Sequence, residues 1–314
     1  MPTASKPSAG SAQVPRRLLL PEPELAEAYA AKAAAGRASL RASRVAFVGL
    51  ARNCGSHLEQ NLLRLEYLAA ECREWRLHIE ENDSDDNTTA VLAVFAQRHR
   101  HATFASRRLG REQYGPEFAG RRTIALAEYR TACQTWVREC AADADFVVVI
   151  DWDAWGGWWN DGVLGAAGWL AEMPEAYGMA SVSLMQHPAH EVDPQGNASI
   201  KPSWLHYDAW AVRGVGQRDN YEDDYSTGRG GWKHQWLPPV GTSPVLVSSA
   251  FGGMAIYRTA AYLAGAYQGE TDCEHVSFHR SVAEATGQSL YLCPALRTIV
   301  HWMEPVDGGR HFGD

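Results

Sequence analysis

Residues 145–153 read Asp-Phe-Val-Val-Val-Ile-Asp-Trp-Asp, and this stretch decides the fold. The five apolar residues from Phe146 to Ile150 are typical of a strand that is buried on both faces of a parallel sheet. Two carboxylates, Asp151 and Asp153, follow this strand directly. The stretch therefore predicts an α/β protein with an acidic site at the end of a central strand.

Shorter apolar runs alternate with helical patterns on both sides of this strand. The predicted elements are a strand over 44–50, helix 57–72, strand 75–80, helix 88–98, strand 102–106, helix 123–140, strand 254–257, helix 259–266, helix 275–286 and strand 297–301. Strands that alternate with helices form a mostly parallel sheet with helices on both faces. The predicted fold is thus a Rossmann-like α/β sheet flanked by helices.

The domain organisation predicted for the 314 residues is a short leader and one domain. Residues 1–43 combine a disordered Pro/Ser/Ala-rich start with an Ala-rich lead-in helix over 24–43. Residues 44–314 form the single domain, because no linker divides them. Residues 188–244 are rich in Gly, Trp, Tyr, Asp and Pro, which predicts a loop-rich second half whose long loops cover a pocket.

Composition and charge exclude several classes of protein. The net charge of −8 argues against broad binding to nucleic acid phosphates. None of the six cysteines forms a CxxC pair, so we expect reduced thiols in a cytoplasmic protein. No apolar run reaches the roughly 20 residues of a membrane helix, and the start lacks the apolar core of a signal peptide. At most, we expect peripheral contact with the inner face of a membrane.

Acidic and basic residues follow three of the predicted strands. Ala51-Arg52-Asn53 follows the first, Glu81-Asn82-Asp83-Ser84-Asp85-Asp86 follows the second, and Asp151 opens the third group. Ligands of open α/β sheets bind outside the carboxyl ends of the strands. These groups are therefore predicted to converge on one edge of the sheet.

The pair Asp151 and Asp153 is predicted to hold a divalent metal ion. Mg²⁺ and Mn²⁺ prefer oxygen ligands of this kind and can share them with diphosphate oxygens. His301 lies at the end of the last predicted strand and is the best candidate for a third ligand, ahead of His275 and His279. An Asp-x-Asp triplet is also common in solvated loops, which is the alternative interpretation.

The remaining charged residues have two interpretations each. Glu81 or Asp83 is predicted to accept hydrogen bonds from a base or ribose, whereas the same stretch also caps the next helix. Arg122 and Arg130 lie eight residues apart on one helical face and suit diphosphate or carboxylate recognition, although a solvated face is the alternative.

Two acidic residues, Asp272 and Glu274, precede a predicted helix. In one interpretation a carboxylate here faces an acceptor hydroxyl and takes its proton. In the other it complements the helix dipole. His275 and His279 share one face of this helix, and satisfied structural histidines are the alternative to a ligand pair.

Seven stretches occur in the order that they have in one known family. One is Tyr207-Asp208-Ala209-Trp210-Ala211-Val212-Arg213, against Tyr-Asp-Thr-Phe-Val-Ala-Arg in the family. The others are residues 45–68, 81–88, 122–132, 146–153, 249–257 and 274–282. Together they resemble the fungal capsule-associated α-1,3-mannosyltransferases, which have a GT-A type domain. This chain departs from that pattern in its Asp-Trp-Asp triplet and in His275 and His279, which replace cysteines.

The resemblance implies a glycosyltransferase that moves a hexose, with mannose favoured, from a nucleoside-diphosphate sugar to a glycan or lipid-linked acceptor. GDP-mannose is then the leading donor, and retention of the anomeric configuration is implied. Residues 44–153 would bind the donor and residues 154–314 the acceptor. The predicted donor-binding residues are Ala51, Arg52, Asn53, Glu81, Asp83, Arg122, Arg130, Asp151 and Trp152. Asp208 and Glu274 would face the sugar and the acceptor, with Asp272 as a further candidate base.

Two other classes of protein share parts of this pattern. A nucleotidyltransferase or metal-dependent phosphohydrolase also uses aspartates at strand ends, but it releases pyrophosphate or phosphate. A non-catalytic carbohydrate-binding protein is suggested by the 12 tryptophans and 12 tyrosines. Such a protein would bind glycan without metal and would not need the two aspartates.

Overall fold

The computed structural model describes residues 14–114, 120–192, 195–196, 198–215 and 232–301, and of residues 188–192, 198–202 and 301 it describes the backbone only. The predicted disordered start, up to residue 13, lies outside the described residues. The helices are α1 (Ala26–Arg41), α2 (Gly55–Ala69), α3 (Thr88–Arg98), α4 (Arg121–Cys140), α5 (Asn160–Glu172), α6 (Trp232–Gln235), α7 (Thr259–Ala264) and α8 (Glu274–Thr286). Short 3₁₀ turns at Arg16–Leu18 and Pro23–Leu25 precede them.

The strands form one sheet. They are β1 (Arg44–Ala51), β2 (Glu74–Asn82), β3 (Ala102–Arg107), β4 (Phe146–Asp151), β5 (Gly157–Trp158), β6 (Ala176–Val192), β7 (Ala198–His206), β8 (Val245–Val247), β9 (Met254–Arg258) and β10 (Ser289–His301). Their order is β3-β2-β1-β4-β9-β6-β10-β5, with β7 paired to β6 and β8 paired to β10. The predicted α/β fold is confirmed, and β3, β2, β1 and β4 are all parallel. Strand β9 then runs antiparallel between β4 and β6, and β10 is again parallel to β6.

The register of the parallel strands brings their carboxyl ends to one edge. Ala51 pairs with Glu81, and Leu50 pairs with Asp151. Each strand then leaves the sheet through a sharp turn, in which Asn53 and Asp83 adopt positive φ angles of 49° and 53°. Asn and Asp tolerate this left-handed conformation better than other residues with a side chain. The predicted convergence at the sheet edge is therefore correct.

Alternate residues of the central strands enter two separate cores. Phe47, Val148 and Ile150 pack against α1, α2 and α5 on one face. Val48, Val147 and Val149 pack on the other face, against α4, α7 and α8. A strand covered on both faces needs apolar residues at every position, which is why 146–150 read as an unbroken apolar run.

The second half contains more regular structure than the sequence predicts. Strands β6 and β7 form an antiparallel hairpin within the predicted loop region 188–244. Helix α5 and most of β6 were also not predicted. Helix α5 is rich in Gly and Ala and mostly buried, so it lacks the polar face that reveals a surface helix. Residues 216–231, in the same predicted loop region, lie outside the described residues.

The lead-in helix belongs to the folded unit. Helix α1 packs closely on α5 because both helices carry glycines at the contact. A Cβ atom at Gly36 would lie 1.7 Å from the backbone oxygen of Leu164, and one at Gly168 would lie 2.2 Å from that of Lys32. Among the described residues, none of the helices has the length and apolar character needed to cross a membrane.

Candidate active site

Asp151 ends β4 and faces helix α4. The alternation of the strand places Ile150 on the α2 side and Asp151 on the opposite side, where Arg130 of α4 donates from Nη2 to Asp151 Oδ1 at 2.9 Å. About a quarter of the Asp151 side chain, 28%, remains exposed. Its Oδ2 atom has no hydrogen-bond partner in the described part of the chain and is thus available to a ligand.

Arg130 bridges two carboxylates. Its Nε donates to Glu274 Oε1 at 2.8 Å, while Nη2 bonds Asp151. The guanidinium carbon lies 4.8 Å from the ring centre of Phe251, and Arg130 is 4% exposed. Burial lowers the pKa of Arg130, but Asp151 and Glu274 outweigh it and raise the pKa well above its ordinary value. Arg130 therefore remains a cation that orients Asp151.

Trp152 does not lie where a ligand can reach it. Its side chain is fully buried on the α2 face and contacts Trp158 edge to face, with ring centres 5.9 Å apart. The side chain therefore offers no exposed surface for the predicted contact with a nucleotide sugar, because neighbouring residues of an extended chain point to opposite faces. Trp152 instead anchors the acidic turn in the core.

Asp153 is exposed in the turn that follows β4, and helix α2 holds this turn. Asn61 Nδ2 donates to the backbone oxygens of Trp152 and Ala154 at 3.2 and 2.8 Å. His57 Nε2 lies 3.1 Å from the backbone oxygen of Asp153. His57 and Asn61 were not identified from the sequence. The one signal for such a role is a polar residue, Asn61, on the apolar face of a helix, where it is fully buried and must find hydrogen-bond partners.

The two aspartates of the triplet resist ionisation when no cation is near. Burial raises the pKa of Asp151 to about 6, and the Asp153 charge adds to this effect while Arg130 opposes it. The protein around the cleft also raises the pKa of Asp153, against the charges of Arg130 and Arg122. A bound cation would favour the ionised form of both carboxylates.

Asp208 joins the acidic site from the segment after β7. Its Oδ2 accepts from the backbone N–H of Gly252 at 2.8 Å, and its Oδ1 accepts from that of Ala211 at 3.3 Å. Burial raises the pKa of Asp208 to about 7, and the Asp151 charge adds to the shift, although the Gly252 N–H opposes it. Asp208 therefore exchanges a proton near neutral pH.

Arg122 lies at the first turn of α4, on the side of Asp153. Its guanidinium carbon is 5.0 Å from the ring centre of Trp210, and its charge lowers the pKa of Asp153. Unlike Arg130, it forms no ion pair or hydrogen bond with a carboxylate in the described part of the chain. The stack on Trp210 holds a cation whose N–H donors are free to bind an anion.

Two of the residues predicted to touch a nucleoside, Asp83 and Arg52, hydrogen-bond the backbone of the segment 109–112. Asp83 accepts from the backbone N–H groups of Leu109, Gly110 and Arg111 at 2.7, 2.9 and 3.2 Å. Arg52 donates to the backbone oxygens of Arg111 and Glu112 at 2.7 and 3.0 Å. We name this set of contacts the loop clamp. Burial raises the pKa of Asp83, but its hydrogen bonds outweigh this and leave the pKa below its ordinary value.

Glu81 and its neighbours are engaged in the same way. Glu81, 2% exposed, accepts from the Ser84 backbone N–H at 2.9 Å and from the Ser106 hydroxyl. Asn53 Oδ1 accepts from the Asp85 N–H at 2.8 Å, and Ala51 is buried. Of the two candidate capping residues in this stretch, Asp86 and Asn87, it is Asp86 whose Oδ1 accepts from the Thr88 N–H at 2.9 Å at the start of α3. These side chains shape the sheet edge, and the polar atoms of Asp83 and Glu81 are already satisfied.

Two predicted catalytic carboxylates are held in ion pairs. Asp272 pairs with Arg213, whose Nη2 lies 2.9 Å from Oδ1. Glu274, 2% exposed, pairs with Arg130 and does not face the open cleft. The structure thus pairs Asp272 with Arg213 and buries Glu274 against Arg130. Asp208 is the predicted catalytic residue that lies beside Asp151.

The histidines of α8, His275 and His279, are buried in the core. His279 lies between the Ser249 hydroxyl and the Tyr257 hydroxyl, at 2.9 and 2.8 Å, and His275 stacks on Phe251 with ring centres 3.7 Å apart. Burial lowers the pKa of His279 to about 3, so its ring is neutral. The alternative of structural histidines therefore describes this pair better than a ligand pair.

A divalent metal ion fits the carboxylate pair as a partial ligand set. The described residues contain no group of three or more His, Cys, Asp or Glu side chains arranged around one metal position. Asp151 and Asp153 offer two carboxylates, which is the usual protein share for Mg²⁺ when substrate phosphates and water complete the shell. The turn after Asp153 hydrogen-bonds the backbone of Ile299, close to His301, whose side chain lies outside the description.

Comparisons with known proteins show that the fold of this chain is similar to that of several solved structures. No family model matches the chain, and no curated protein matches it. A mannosyltransferase from Pyrobaculum calidifontis, solved with GDP-Man and Mn²⁺, is 14% identical with a TM-score of 0.46, over 91% of this chain and 68% of that chain. Mannosyl-3-phosphoglycerate synthase from Rubrobacter xylanophilus is 13% identical with a TM-score of 0.47, over 93% and 79%.

A third similar structure is GalNAc-T7 with UDP, GalNAc and Mn²⁺, at 9% identity and a TM-score of 0.48. The match covers 96% of this chain and 57% of that one, so this chain spans little more than half of its length. At such identities the likeness concerns the fold alone, and function is therefore argued from the site residues.

Proposed function

We propose that this protein is a metal-dependent glycosyltransferase of the GT-A type, which moves a hexose from a nucleoside-diphosphate sugar to an acceptor hydroxyl. One observation carries the proposal. At the carboxyl end of a central strand, Asp151 is oriented by Arg130 while Asp153 is exposed beside it. A pair of this kind, at the edge where α/β sheets bind ligands, suits a cation that carries a diphosphate.

Asp151 and Asp153 would hold Mn²⁺ or Mg²⁺, with His301 as the proposed third ligand. The ion, when bound, supplies Lewis-acid stabilisation of the charge that develops on the departing nucleoside diphosphate. Arg130 keeps the Asp151 carboxylate in one orientation, and Asn61 keeps the turn in one conformation. A preorganised site of this kind needs little rearrangement during the reaction.

Arg122 is the proposed diphosphate-binding arginine. Arg122 and Arg130 are both predicted to orient the phosphates or the acidic triplet, but Arg130 is buried and already directs Nε to Glu274 and Nη2 to Asp151. Arg122 keeps its donors available and is held in place by Trp210. Removal of Arg122 should therefore weaken nucleotide binding more than it weakens metal binding.

Asp208 is the proposed residue that faces the reacting sugar and the acceptor. Its pKa near neutrality matches the requirement for a group that takes a proton from a hydroxyl. As such a base, Asp208 would act in an inverting transfer, whereas the family resemblance implies retention. The anomeric configuration of the product, read by NMR, decides between these two outcomes.

The donor sugar is proposed to be mannose and the donor GDP-mannose, on the resemblance described above. A glycan or a lipid-linked sugar is the proposed acceptor. Residues 44–153 would then bind the donor and residues 154–314 the acceptor. The loop clamp would form the wall of the nucleoside subsite, with its side chains acting through the backbone of residues 109–112.

The test is a panel of nucleotide sugars assayed with Mn²⁺ for release of the nucleoside diphosphate, with and without EDTA. We expect metal-dependent release from one donor, and loss of release in the double variant Asp151→Ala, Asp153→Ala. Glu284→Ala, which removes an exposed carboxylate of α8, is the control. Release of pyrophosphate or phosphate would indicate a nucleotidyltransferase or phosphohydrolase instead. Glycan binding that survives EDTA and the double variant, without nucleotide binding, would indicate a carbohydrate-binding protein.

A further inference from the structure

Glu274 is buried behind the acidic site and touches it only through Arg130. We propose that Glu274 is a positioning residue whose negative charge occupies Arg130, so that Asp151 remains available to a divalent cation. This inference rests on the proposed function, since it concerns the cation at Asp151 and Asp153. It replaces the predicted role of Glu274 as a catalytic base.

Glu274, Arg130 and Asp151 form two ion pairs that share the Arg130 guanidinium, and we call these three side chains the relay. Arg130 directs Nε to Glu274 Oε1 at 2.8 Å and Nη2 to Asp151 Oδ1 at 2.9 Å. The side chains of Arg130 and Glu274 are 5% and 3% exposed, whereas that of Asp151 is 28% exposed. Only the Asp151 end of the relay therefore opens to the cleft.

The charges of the relay do not cancel. One guanidinium faces two carboxylates, so the three side chains carry a net charge of −1 when both acids are ionised. Without the charge of Glu274, the single charge of Arg130 would be matched by Asp151 alone. A cation entering the cleft would then meet a neutral ion pair in place of a negatively charged group. Because the relay is shielded from water, this difference is weakly screened.

Two further contacts keep the relay in place. Phe251 covers the guanidinium of Arg130 at 4.8 Å, and His275 stacks on Phe251. Glu274 itself begins helix α8, where the exposed N–H groups of the first turn favour a negative charge. These contacts hold the Glu274 carboxylate against Arg130 and away from any acceptor hydroxyl in the cleft.

The experiment measures the affinity of the nucleotide-free protein for Mn²⁺ by electron paramagnetic resonance. The variants are Glu274→Gln, which keeps the shape and removes the charge, and Glu274→Asp, which keeps the charge and shortens the chain. Glu284→Gln makes the same change on the exposed face of the same helix and serves as the control. Melting temperature and circular dichroism confirm that each variant is folded.

We expect Glu274→Gln to weaken Mn²⁺ binding about ten- to a hundredfold, as is usual when a residue behind a metal ligand is changed. Glu274→Asp should bind Mn²⁺ more tightly than Glu274→Gln, although Gln is closer in shape to Glu. The control should match the wild type. If Glu274→Gln does not fold, Glu274→Asp carries the test, and its affinity should stay close to that of the wild type.

The opposite results would overturn the proposal. If Glu274→Gln binds Mn²⁺ as the wild type does but loses turnover together with one limb of its pH profile, Glu274 is a base. If Glu274→Gln retains the wild-type affinity for Mn²⁺ and Glu274→Asp does not, the shape of the side chain determines the affinity and its charge does not. Absence of Mn²⁺ binding by the wild type would instead contradict the proposed function, so the two failures are distinguishable.

Discussion

At the scale of single residues, the state of each carboxylate follows from its immediate surroundings. Asp143 lies at the surface beside Arg76, and this hydrogen-bonded partner lowers its pKa. Asp208 lies within the cleft, where burial and the neighbouring Asp151 raise its pKa to about 7. The pKa is therefore lowered at one aspartate and raised at the other. This difference can be measured through the pH dependence of the free energy of unfolding.

The first prediction concerns Asp208→Asn. Because the folded protein raises this pKa above 3.8, the contribution of Asp208 to stability is fully present below about pH 4 and is lost as the pH rises through about 7. Asparagine does not ionise, so the stability of the variant relative to the wild type should increase by about 4 kcal/mol between pH 4 and pH 8. Urea unfolding of the metal-free protein across this range measures the difference.

Asp143→Asn is the matched control with the opposite sign. The contribution of Asp143 is present above its unfolded pKa and is lost as the pH falls, since its folded pKa is lowered. The variant should thus be less stable than the wild type at neutral pH and equally stable in acid. The difference should be small because the Arg76–Asp143 pair is solvated. A flat difference between pH 4 and pH 8 for Asp208→Asn would contradict the raised pKa.

At the scale of elements, helix α5 depends on glycine where it meets α1. A Cβ atom at Gly168 would lie 2.2 Å from the backbone oxygen of Lys32, whereas one at Gly165 would lie 3.5 Å from the Cβ of Ala295. We expect Gly168→Ala to lower the free energy of unfolding by about 1–3 kcal/mol, because the two backbones must separate. Gly165→Ala should be neutral or stabilising by about 0.5–1 kcal/mol through helix propensity.

Chemical denaturation of both variants measures this difference. The two changes are the same and lie three residues apart on one helix, so propensity cancels in the comparison. Equal effects of the two variants would show that the α1–α5 contact does not constrain the fold. The close contact of α1 with α5 would then contribute little to the free energy of unfolding.

A second element-scale prediction concerns the loop clamp. Asp83 accepts three consecutive backbone N–H groups of the segment 109–111. Asp83→Ala removes these acceptors, and trypsin cleavage after Arg111 should accelerate about tenfold, as a loss of about 1.4 kcal/mol in local stability implies. Asp85→Ala removes an exposed carboxylate from the same turn and is the control. Unchanged cleavage at Arg111 in Asp83→Ala would show that other contacts hold the segment.

At the scale of the whole molecule, the acidic site joins distant parts of the chain. Asp151 lies on β4, Arg130 on α4 and Asp208 after β7, so a ligand bound at the proposed site would contact segments from both halves of the chain. Binding to the folded state alone stabilises by mass action, by about 2.7 kcal/mol at a ligand concentration of 100 Kd. We expect Mn²⁺ with GDP to raise the melting temperature of the wild type.

Differential scanning fluorimetry measures this shift, with EDTA and Asp153→Asn as controls. The shift should disappear in both, and Arg122→Gln should reduce the shift with GDP more than that with Mn²⁺ alone. A melting temperature that does not respond to Mn²⁺ with any nucleoside diphosphate would contradict a nucleotide site at these residues.

The sequence by itself determined the α/β class, most elements of the first half and the edge at which acidic groups meet. It could do so because the spacing of apolar residues is local information, and because parallel strands end together. It also singled out Asp151 and Asp153 after a buried strand and Arg130 on a helical face, whereas Asp208 came from the family resemblance over residues 207–213.

Only the tertiary structure decided what each of these residues touches. It turned Trp152 into the core, joined Arg130 to Glu274 across 144 positions of the chain, and placed Asn61 beneath the acidic turn. It also engaged Asp83 and Arg52 in the loop clamp. The physical reason is that the partner of a polar group depends on packing between elements far apart in the chain, which periodicity and spacing do not encode.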